Sequence, residues 1–195
     1  MKRILVACEF SGRVRDAFIK NGCDAISCDL LPTERPGPHY QGNVLDILDD
    51  GGFDLMVAHP SCQHLAVSGA RWFKYKQKEQ AEALDFVRRL LDADIPQICL
   101  ENPVSIISSR IRKPDQIIQP YEYGDEASKK TCLWLKNLPK LKPTKIVGKG
   151  EFHITKSGKK LPKWYHDALS SPDRAKIRSE TFQGIADAIG EQWSK

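Results

Sequence analysis

The sequence lacks the features of a membrane-spanning or disulfide-rich protein. No apolar run approaches the ~18 residues that a membrane span needs, and the start shows no signal-peptide pattern. The six cysteines are scattered without a C-x-x-C pair, and Cys8 and Cys99 fall inside apolar runs, where buried reduced thiols are expected. Repeats and low-complexity tracts are also missing. These absences predict a cytoplasmic protein without a membrane partner.

The composition is that of an ordinary globular chain. The 195 residues are 41% hydrophobic and 28% charged, values that exclude a disordered protein. A chain of this length can bury one sizeable core but is short for two. We therefore expect a single domain over residues 1–195.

Positive charge is concentrated in one segment. Residues 136–163 contain nine lysines and one acid, Glu151, so this segment carries +8 against +5 for the whole chain. A surface of this charge attracts phosphates. The alternative is a solvated lysine-rich surface without a partner.

Strand and helix patterns alternate along the chain. Buried strands are predicted over residues 3–7, 25–28, 53–58, 97–100 and 132–135, and helices over residues 14–19, 80–91 and 182–193. Residues 31–40 and 139–164 are rich in proline and glycine and are predicted to be irregular. The alternation predicts an α/β fold with a doubly wound, mostly parallel sheet and helices on both faces. In such sheets, ligands bind beyond the carboxyl ends of the strands.

Two strand ends carry residues suited to chemistry on a pyrimidine ring. Cys62 follows the third predicted strand in a loop stiffened by Pro60, and Glu101-Asn102 ends the fourth. A cysteine can attack such a ring, and a nearly buried carboxyl can hold it. The alternatives are a structural thiol, a strand-ending Asn-Pro turn, and a metal site at His59-x-x-Cys62-x-His64, which lacks a fourth ligand at a familiar spacing.

The first strand ends in a pattern typical of a cofactor site. Gly12, in Phe10-Ser11-Gly12, would let a ligand approach the backbone, and Asp29 at the end of the second strand could bind both hydroxyls of a ribose. The pattern is not G-x-G-x-x-G, because Val14 and Arg15 stand where further glycines are expected. A simple turn is the alternative.

Aromatic and basic residues interleave directly after the cysteine loop. Rings among cations suit base stacking and phosphate contact, whereas the alternative places the rings in the core under a helix. The residues are Arg71, Trp72, Phe73, Lys74, Tyr75 and Lys76.

Together these motifs resemble the DNA cytosine-5 methyltransferase family, in particular its compact phage- and prophage-encoded members. Cys62-Gln63 through Gly69 is similar to the Pro-Cys-Gln loop of the family, and Glu101-Asn102-Pro103 to its Glu-Asn-Val motif. Phe10-Ser11-Gly12 resembles the start of the cofactor loop, Gly42-Asn43-Val44 the approach to the adenine pocket, and residues 185–190 the closing helix. The motifs occur in the family order over most of the chain.

The chain departs from the family pattern at several points. Ser61 replaces the proline before the cysteine, and Lys129 and Thr131 replace the arginines of Gln-x-Arg-x-Arg. The Gly-Asn before the closing helix is missing, with Arg178-Ser179 near its place. Only the lysine-rich residues 136–166 could form a reduced recognition segment within the catalytic domain.

The resemblance implies methyl transfer from S-adenosylmethionine to C5 of cytosine in duplex DNA, with the target base flipped. It implies Cys62 as the nucleophile that adds to C6, with Glu101 and Asn102 as its catalytic partners. The cofactor-binding residues would be Phe10, Ser11, Gly12, Asp29, Leu30, Asn43, Val44, His59 and Pro60. The nucleic-acid-binding residues would be Gln63, Ser68, Arg71, Lys74, Lys129, Lys156, Lys159 and Lys160, and no metal is expected.

Two other functions stay open. The same chemistry could act on a free cytidine nucleotide, single-stranded DNA or RNA, because the recognition segment is small. A non-catalytic nucleic-acid-binding protein on a repurposed methyltransferase fold is the second alternative, which Ser61, Lys129 and Thr131 favour.

Overall fold

The computed structural model describes residues 1–49 and 52–195. Its main sheet has seven strands in the order β3-β2-β1-β4-β5-β7-β6. These strands are β1 (Arg3–Ala7), β2 (Asp24–Asp29), β3 (His39–Gln41), β4 (Leu55–Ala58), β5 (Gln97–Pro103), β6 (Gln116–Ile118) and β7 (Thr131–Lys136). A separate hairpin pairs β8 (Phe152–Ile154) with β9 (Lys160–Pro162). The helices are α1 (Arg13–Lys20), α2 (Gln77–Leu91), α3 (Ile107–Arg110), α4 (Lys163–Ala168), α5 (Arg174–Ser179) and α6 (Gln183–Trp193).

The predicted fold class is confirmed. Strands β1 to β5 pair in parallel, and the chain moves outward from β1 through β2 and β3 before it returns to form β4 beside β1. The point of reversal therefore lies between β1 and β4. Ligands bind at such a point in doubly wound sheets, beyond the carboxyl ends of the strands.

The alternation of side chains along the strands builds a core on each face of the sheet. Ile4 and Val6 of β1 pack with Phe18 of α1 and with α6, and Leu5 and Ala7 pack with α2 on the other face. Gly190 of α6 allows close approach to α1, because a Cβ at this position would lie 2.7 Å from the carbonyl carbon of Ala17. Both faces are thus covered by helices, as predicted.

The segment of residues 31–40, predicted to be irregular, ends in a strand. Residues 39–41 form β3, which pairs in parallel with β2 at the edge of the sheet. The preceding loop is ordered by Arg15, whose fully buried guanidinium donates to Ser27 Oγ, to Thr33 Oγ1 and to the carbonyls of residues 35, 36 and 38. The arginine that replaces an expected glycine therefore serves as the anchor of this loop.

Three further predictions can be compared with the structure. The predicted strand over residues 132–135 is confirmed as β7, which runs antiparallel to β5 and pairs on its other side with β6, a strand that was not predicted. The segment 139–164 contains the β8–β9 hairpin, which stacks on α4 through His153 and His166, whose ring centroids lie 3.6 Å apart. Cys8 is partly exposed rather than buried, whereas Cys99 is buried. Over the described residues, no helix has the length and apolarity to cross a membrane.

Candidate active site

The register of two parallel strands brings the predicted catalytic residues together. Ala58 of β4 lies opposite Leu100 of β5, so the residues that follow them, His59 and Glu101, emerge side by side. The amide Nδ2 of Asn102 then donates to the carbonyl of Pro60 over 2.8 Å in a buried contact. The loop that carries Cys62 is therefore tied to the end of β5.

A second link lies further along both loops. Ala66 and Ser105 form an antiparallel bridge, and the amide of Val67 donates to the carbonyl of Val104 over 3.1 Å. Leu65 is fully buried beneath this contact. The two loops are thus joined before and after Cys62, and this fixes the position of the thiol relative to Glu101.

Glu101 is a buried carboxylate with a histidine partner. His59 Nδ1 lies 3.0 Å from Glu101 Oε2, and the two side chains are 9% and 12% exposed. Burial acts to raise the pKa of Glu101, but the hydrogen bond from His59, the charge of Lys129 and the charge of His59 together hold this pKa below the usual value. Glu101 is therefore ionised at neutral pH.

The thiol of Cys62, unlike the carboxyl of Glu101, is uncharged. Burial raises its pKa, the charge of Glu101 raises it further, and Lys129, Arg178 and a backbone hydrogen bond only partly offset these effects. Cys62 is a neutral thiol at neutral pH, so its proton must leave when it acts as a nucleophile.

The site is rich in buried polar atoms without a hydrogen-bond partner. Such atoms are uncommon in folded proteins and call for an explanation, which a bound ligand or ordered water can supply. Among the described residues, four of the five such atoms lie on the Cys62 loop, at the end of β5 or on the loop that follows β5, and the fifth is Gln80 Nε2. The four are His59 Nε2, His64 Nδ1, Asn102 Oδ1 and Ser105 Oγ.

The side chains of His59, Cys62 and His64 do not come together as a group of metal ligands. Within residues 1–49 and 52–195, no group of three or more His, Cys, Asp or Glu side chains is arranged to hold a metal ion. His59 instead directs Nδ1 to Glu101.

The turn after β1 is organised by Glu9, an acid that the sequence places at this edge of the sheet but to which it gives no role. Glu9 is 4% exposed, and its carboxylate accepts from the amides of Val14 (2.7 Å) and Arg15 (3.2 Å) and from Ser11 Oγ (3.2 Å). Glu9 thus caps the amino end of α1, where an anion is favoured. Its position directly before the turn was the available signal. The capped helix end offers no free site for a second carboxylate.

Gly12 is required by the conformation of the same turn. It has a φ of 72°, and a Cβ at this position would lie 2.6 Å from the guanidinium of Arg15. The carbonyl of Phe10 accepts from the amide of Glu34, so the loop after β2 is bound to this turn. Ser11 is buried against Glu9. These contacts serve the fold of the turn. Cofactor binding by Phe10, Ser11 and Gly12 stays a prediction.

The ends of β2 and β3 fit the nucleoside part of a cofactor. Asp29 is partly exposed with Oδ1 bound to the amide of Leu31, and the neighbouring Leu30 is 73% exposed. Asn43 Oδ1 caps a short 3₁₀ turn through the amide of Leu45, and Val44 is buried beneath it. An acid beside exposed apolar and amide groups suits a ribose and a base. His59 and Pro60, predicted to bind the cofactor as well, are instead engaged by Glu101 and Asn102.

The aromatic segment after Cys62 faces solvent. Trp72 and Tyr75 are 51% and 67% exposed within a 3₁₀ segment, Val67–Tyr75, that has no buried residue. The guanidinium of Arg71 lies over the ring of Trp72 and the ammonium of Lys74 over that of Tyr75. The core alternative is therefore wrong for these two rings. Gln63 and Ser68 are exposed on the same loop.

The predicted basic residues fall into two groups. Lys156, Lys159 and Lys160 are exposed on the β8–β9 hairpin and its turn. Lys129 lies apart from them, since its Nζ donates to the carbonyl of Arg178 over 3.0 Å and its charge acts on both Cys62 and Glu101. The structure thus separates Lys129 from the exposed lysines.

Arg178, which the sequence places near the missing Gly-Asn of the family but gives no role, also acts on the site. Its guanidinium lies 4.9 Å from the ring centroid of Tyr165, and its charge lowers the pKa of Cys62. It belongs to α5, a helix held in place by ion pairs of Lys176 with Glu34 and of Glu180 with Arg13. No motif marks Arg178, because its approach to Cys62 depends on the packing of α5.

Comparison with solved structures gives likenesses of fold, one of which is described below. No protein-family model and no curated protein matches the sequence. A crystal structure from E. coli, provisionally described as a DNA modification methyltransferase encoded within a prophage, matches with a TM-score of 0.49 and 13% identity. The match covers 89% of this chain and 56% of that one, so this chain spans little more than half the length of that structure. The function proposed below therefore rests on the chain's own residues.

Proposed function

We propose that this protein is a DNA cytosine-5 methyltransferase that acts through a covalent bond between Cys62 and C6 of the target base. The observation that carries the proposal is the joining of the Cys62 loop to Glu101 and Asn102 at the carboxyl ends of β4 and β5, among four buried polar atoms that lack partners. The methyltransferase family that the motifs resemble is built on a Rossmann-like sheet, the fold class found here.

The chemistry assigns a role to each of the three residues. C5 of cytosine is too weak a nucleophile to accept a methyl group unaided, and addition of Cys62 Sγ to C6 makes it reactive. The ionised Glu101 would accept from the exocyclic amine, take up the proton that the Cys62 thiol loses and pass it to N3 as the adduct forms. Asn102 would hold the Cys62 loop at the distance that the addition needs, through Pro60.

S-adenosylmethionine is the proposed cofactor, and when bound it supplies the methyl group. Asp29, Leu30 and Asn43 would hold its nucleoside part, since they lie together at the ends of β2 and β3 and are accessible. Glu9 already occupies the amino end of α1. We therefore expect this chain to bind the carboxylate of the cofactor away from that helix end.

Two surfaces would hold the nucleic acid. Trp72 and Tyr75 would stack on bases beside the reactive cysteine, and the exposed lysines of the hairpin would bind phosphates. A base inside a duplex cannot reach a thiol held in a loop, so the target would leave the stack, at a cost of about a few kcal/mol.

The test is nucleoside analysis of duplex DNA incubated with S-adenosylmethionine and the protein, beside Cys62→Ala and Cys23→Ala. Cys23 is a buried thiol at the start of β2, away from the site, and serves as the matched control. We expect 5-methylcytosine with wild type and Cys23→Ala, and none with Cys62→Ala. Methylation by Cys62→Ala at the wild-type rate would reject the covalent mechanism. Product only on single-stranded DNA, RNA or a cytidine nucleotide would reject duplex DNA as the substrate.

A further inference from the structure

The hydrogen bond between His59 and Glu101 joins two side chains that are both close to nine-tenths buried. The Nδ1–Oε2 distance is 3.0 Å, and the pair follows from the register of β4 and β5 rather than from a flexible contact. The other ring nitrogen, Nε2, is buried and has no hydrogen-bond partner among the described residues. His59 is thus held by one ring nitrogen, toward Glu101.

The other charged and titratable groups around Glu101 are few. Lys129, in the segment before β7, lowers the pKa of Glu101 through its charge. The charge of Glu101 in turn raises the pKa of the thiols of Cys62, Cys99 and Cys132. Among the described residues, His59 is the only side chain recorded in a hydrogen bond to the Glu101 carboxylate. The orientation of the carboxylate therefore depends on His59.

We infer that His59 is a positioning residue for Glu101: its hydrogen bond to Oε2 turns the carboxylate so that Oε1 faces the 4-amino group of cytosine. The same hydrogen bond favours the ionised form of the carboxylate. The inference rests on the proposed function and extends it, because it assigns His59 to the base and not to the cofactor. At position 4 of the ring, an ionised acceptor suits the amine donor of cytosine and is repelled by the carbonyl that uracil and thymine present there. His59 would thereby contribute to the choice of base.

The first step balances without an outside proton. The bond from Cys62 Sγ to C6 forms as the π pair of C5=C6 shifts through the ring to N3. N3 gains one proton through Glu101, and the neutral thiol of Cys62 loses one. An ionised carboxylate can take up the thiol proton and deliver it to N3, so that Glu101 is ionised again when the adduct has formed. A carboxyl that is already protonated cannot accept the thiol proton. The step therefore requires the state in which His59 holds Glu101.

The experiment measures the carboxylate and the step separately. Carboxyl-¹³C-glutamate labelling with NMR titration follows Glu101, which Glu101→Gln identifies in the spectrum. Tritium release from [5-³H]cytosine in duplex DNA without cofactor follows the adduct, because only a base saturated at C6 exchanges its C5 hydrogen. The variants are His59→Leu, which removes the donor, and His59→Asn, which keeps a donor near the position of Nδ1. His39→Asn, at the edge strand and bound to Ser27, is the control for the titration.

We expect the titration midpoint of Glu101 to rise in His59→Leu, because burial is then opposed by Lys129 alone. It should rise less in His59→Asn and stay at the wild-type value in His39→Asn. Tritium release should fall about 100-fold in His59→Leu, with at least a tenth of the wild-type rate restored in His59→Asn.

Two results overturn the inference: an unchanged Glu101 midpoint in His59→Leu, or equal tritium release by wild type and His59→Leu. Wild-type protein that neither releases tritium nor forms 5-methylcytosine rejects the proposed function. In that case the NMR titration alone decides whether His59 holds Glu101 ionised.

Discussion

Replacing Asn102 by aspartate tests whether the buried hydrogen bond between the two catalytic loops contributes more to stability than an exposed hydrogen bond of the same kind. Asn102 is 1% exposed, and its Nδ2 donates to the carbonyl of Pro60 over 2.8 Å. Asn102→Asp keeps the shape of the side chain but replaces the donor with a carboxyl, next to the ionised Glu101. The carboxyl can restore the hydrogen bond only if it takes up a proton.

The free-energy cost of protonating the new carboxyl sets the size of the expected loss of stability. Protonating an aspartyl side chain with an ordinary pKa of about 3.9 costs about 4 kcal/mol at pH 7 and about 0.5 kcal/mol at pH 4. The hydrogen bond to Pro60 would raise the pKa of the new carboxyl in the folded state. Its contribution to the free energy of unfolding is therefore present below the unfolded-state pKa and is lost as pH rises through the folded-state pKa. We expect Asn102→Asp to lower the free energy of unfolding by about 3–4 kcal/mol at pH 7 and by under about 1 kcal/mol at pH 4.

The assay is urea unfolding of wild type and variant at both pH values, compared at each pH so that other titrations cancel. Asn137→Asp is the matched control, since Asn137 Nδ2 also donates to a proline carbonyl, that of Pro96 over 2.9 Å, but is exposed. Asn137 has a φ of 53°, which aspartate tolerates. The control should lose under about 1 kcal/mol at either pH. A loss below about 1 kcal/mol at pH 7 in Asn102→Asp, or a loss independent of pH, would refute the buried link.

Two further predictions concern the nucleophile and the aromatic surface. Lys129→Met should raise the pKa of Cys62 further, because a cation that favours the thiolate is lost, and the pH profile of Cys62 alkylation by iodoacetamide should shift to higher pH. Lys130 is exposed and adjacent, so Lys130→Met is the control and should leave this profile unchanged. An unshifted profile in Lys129→Met would contradict the role of Lys129. Trp72→Ala and Tyr75→Ala should each weaken single-stranded DNA binding, measured by fluorescence anisotropy, by about 1–3 kcal/mol without changing thermal stability. Ile19→Ala, exposed on α1, is the control, and equal affinity in all three variants excludes a stacking surface.

The central strands and the position of the site could be predicted because both follow from buried apolar runs. Ile4 to Ala7 and Leu55 to Ala58 are fully buried, so their sequence shows no alternation and favours central parallel strands. Once β4 and β5 are parallel, the residues after them must meet at one edge. The nearness of Cys62 to Glu101 therefore needed no knowledge of tertiary contacts.

The direction of β7 and the existence of β3 could not be predicted in this way. An apolar run such as residues 132–135 reads the same whichever way the strand runs, and its antiparallel pairing depends on contacts such as that of Asp115 with the amide of Leu135. His39 to Gln41 lies in a proline-rich stretch, and it is a strand only because β2 supplies the hydrogen bonds. Both depend on partners distant in sequence.

The state of Cys62 depends on residues that approach from the far end of the chain. Lys129 and Arg178 alone among the described side chains favour its thiolate, and the contact of Lys129 Nζ with the carbonyl of Arg178 couples the two. A phosphate bound to either cation would cancel its effect and raise the pKa of Cys62. We therefore expect the phosphates of the nucleic acid to bind the exposed lysines of the hairpin, while Lys129 acts toward the thiol. The helix α5 carries Arg178 and is held by ion pairs with Glu34 and Arg13. Loss of these ion pairs should therefore raise the pKa of Cys62, although neither contacts the thiol.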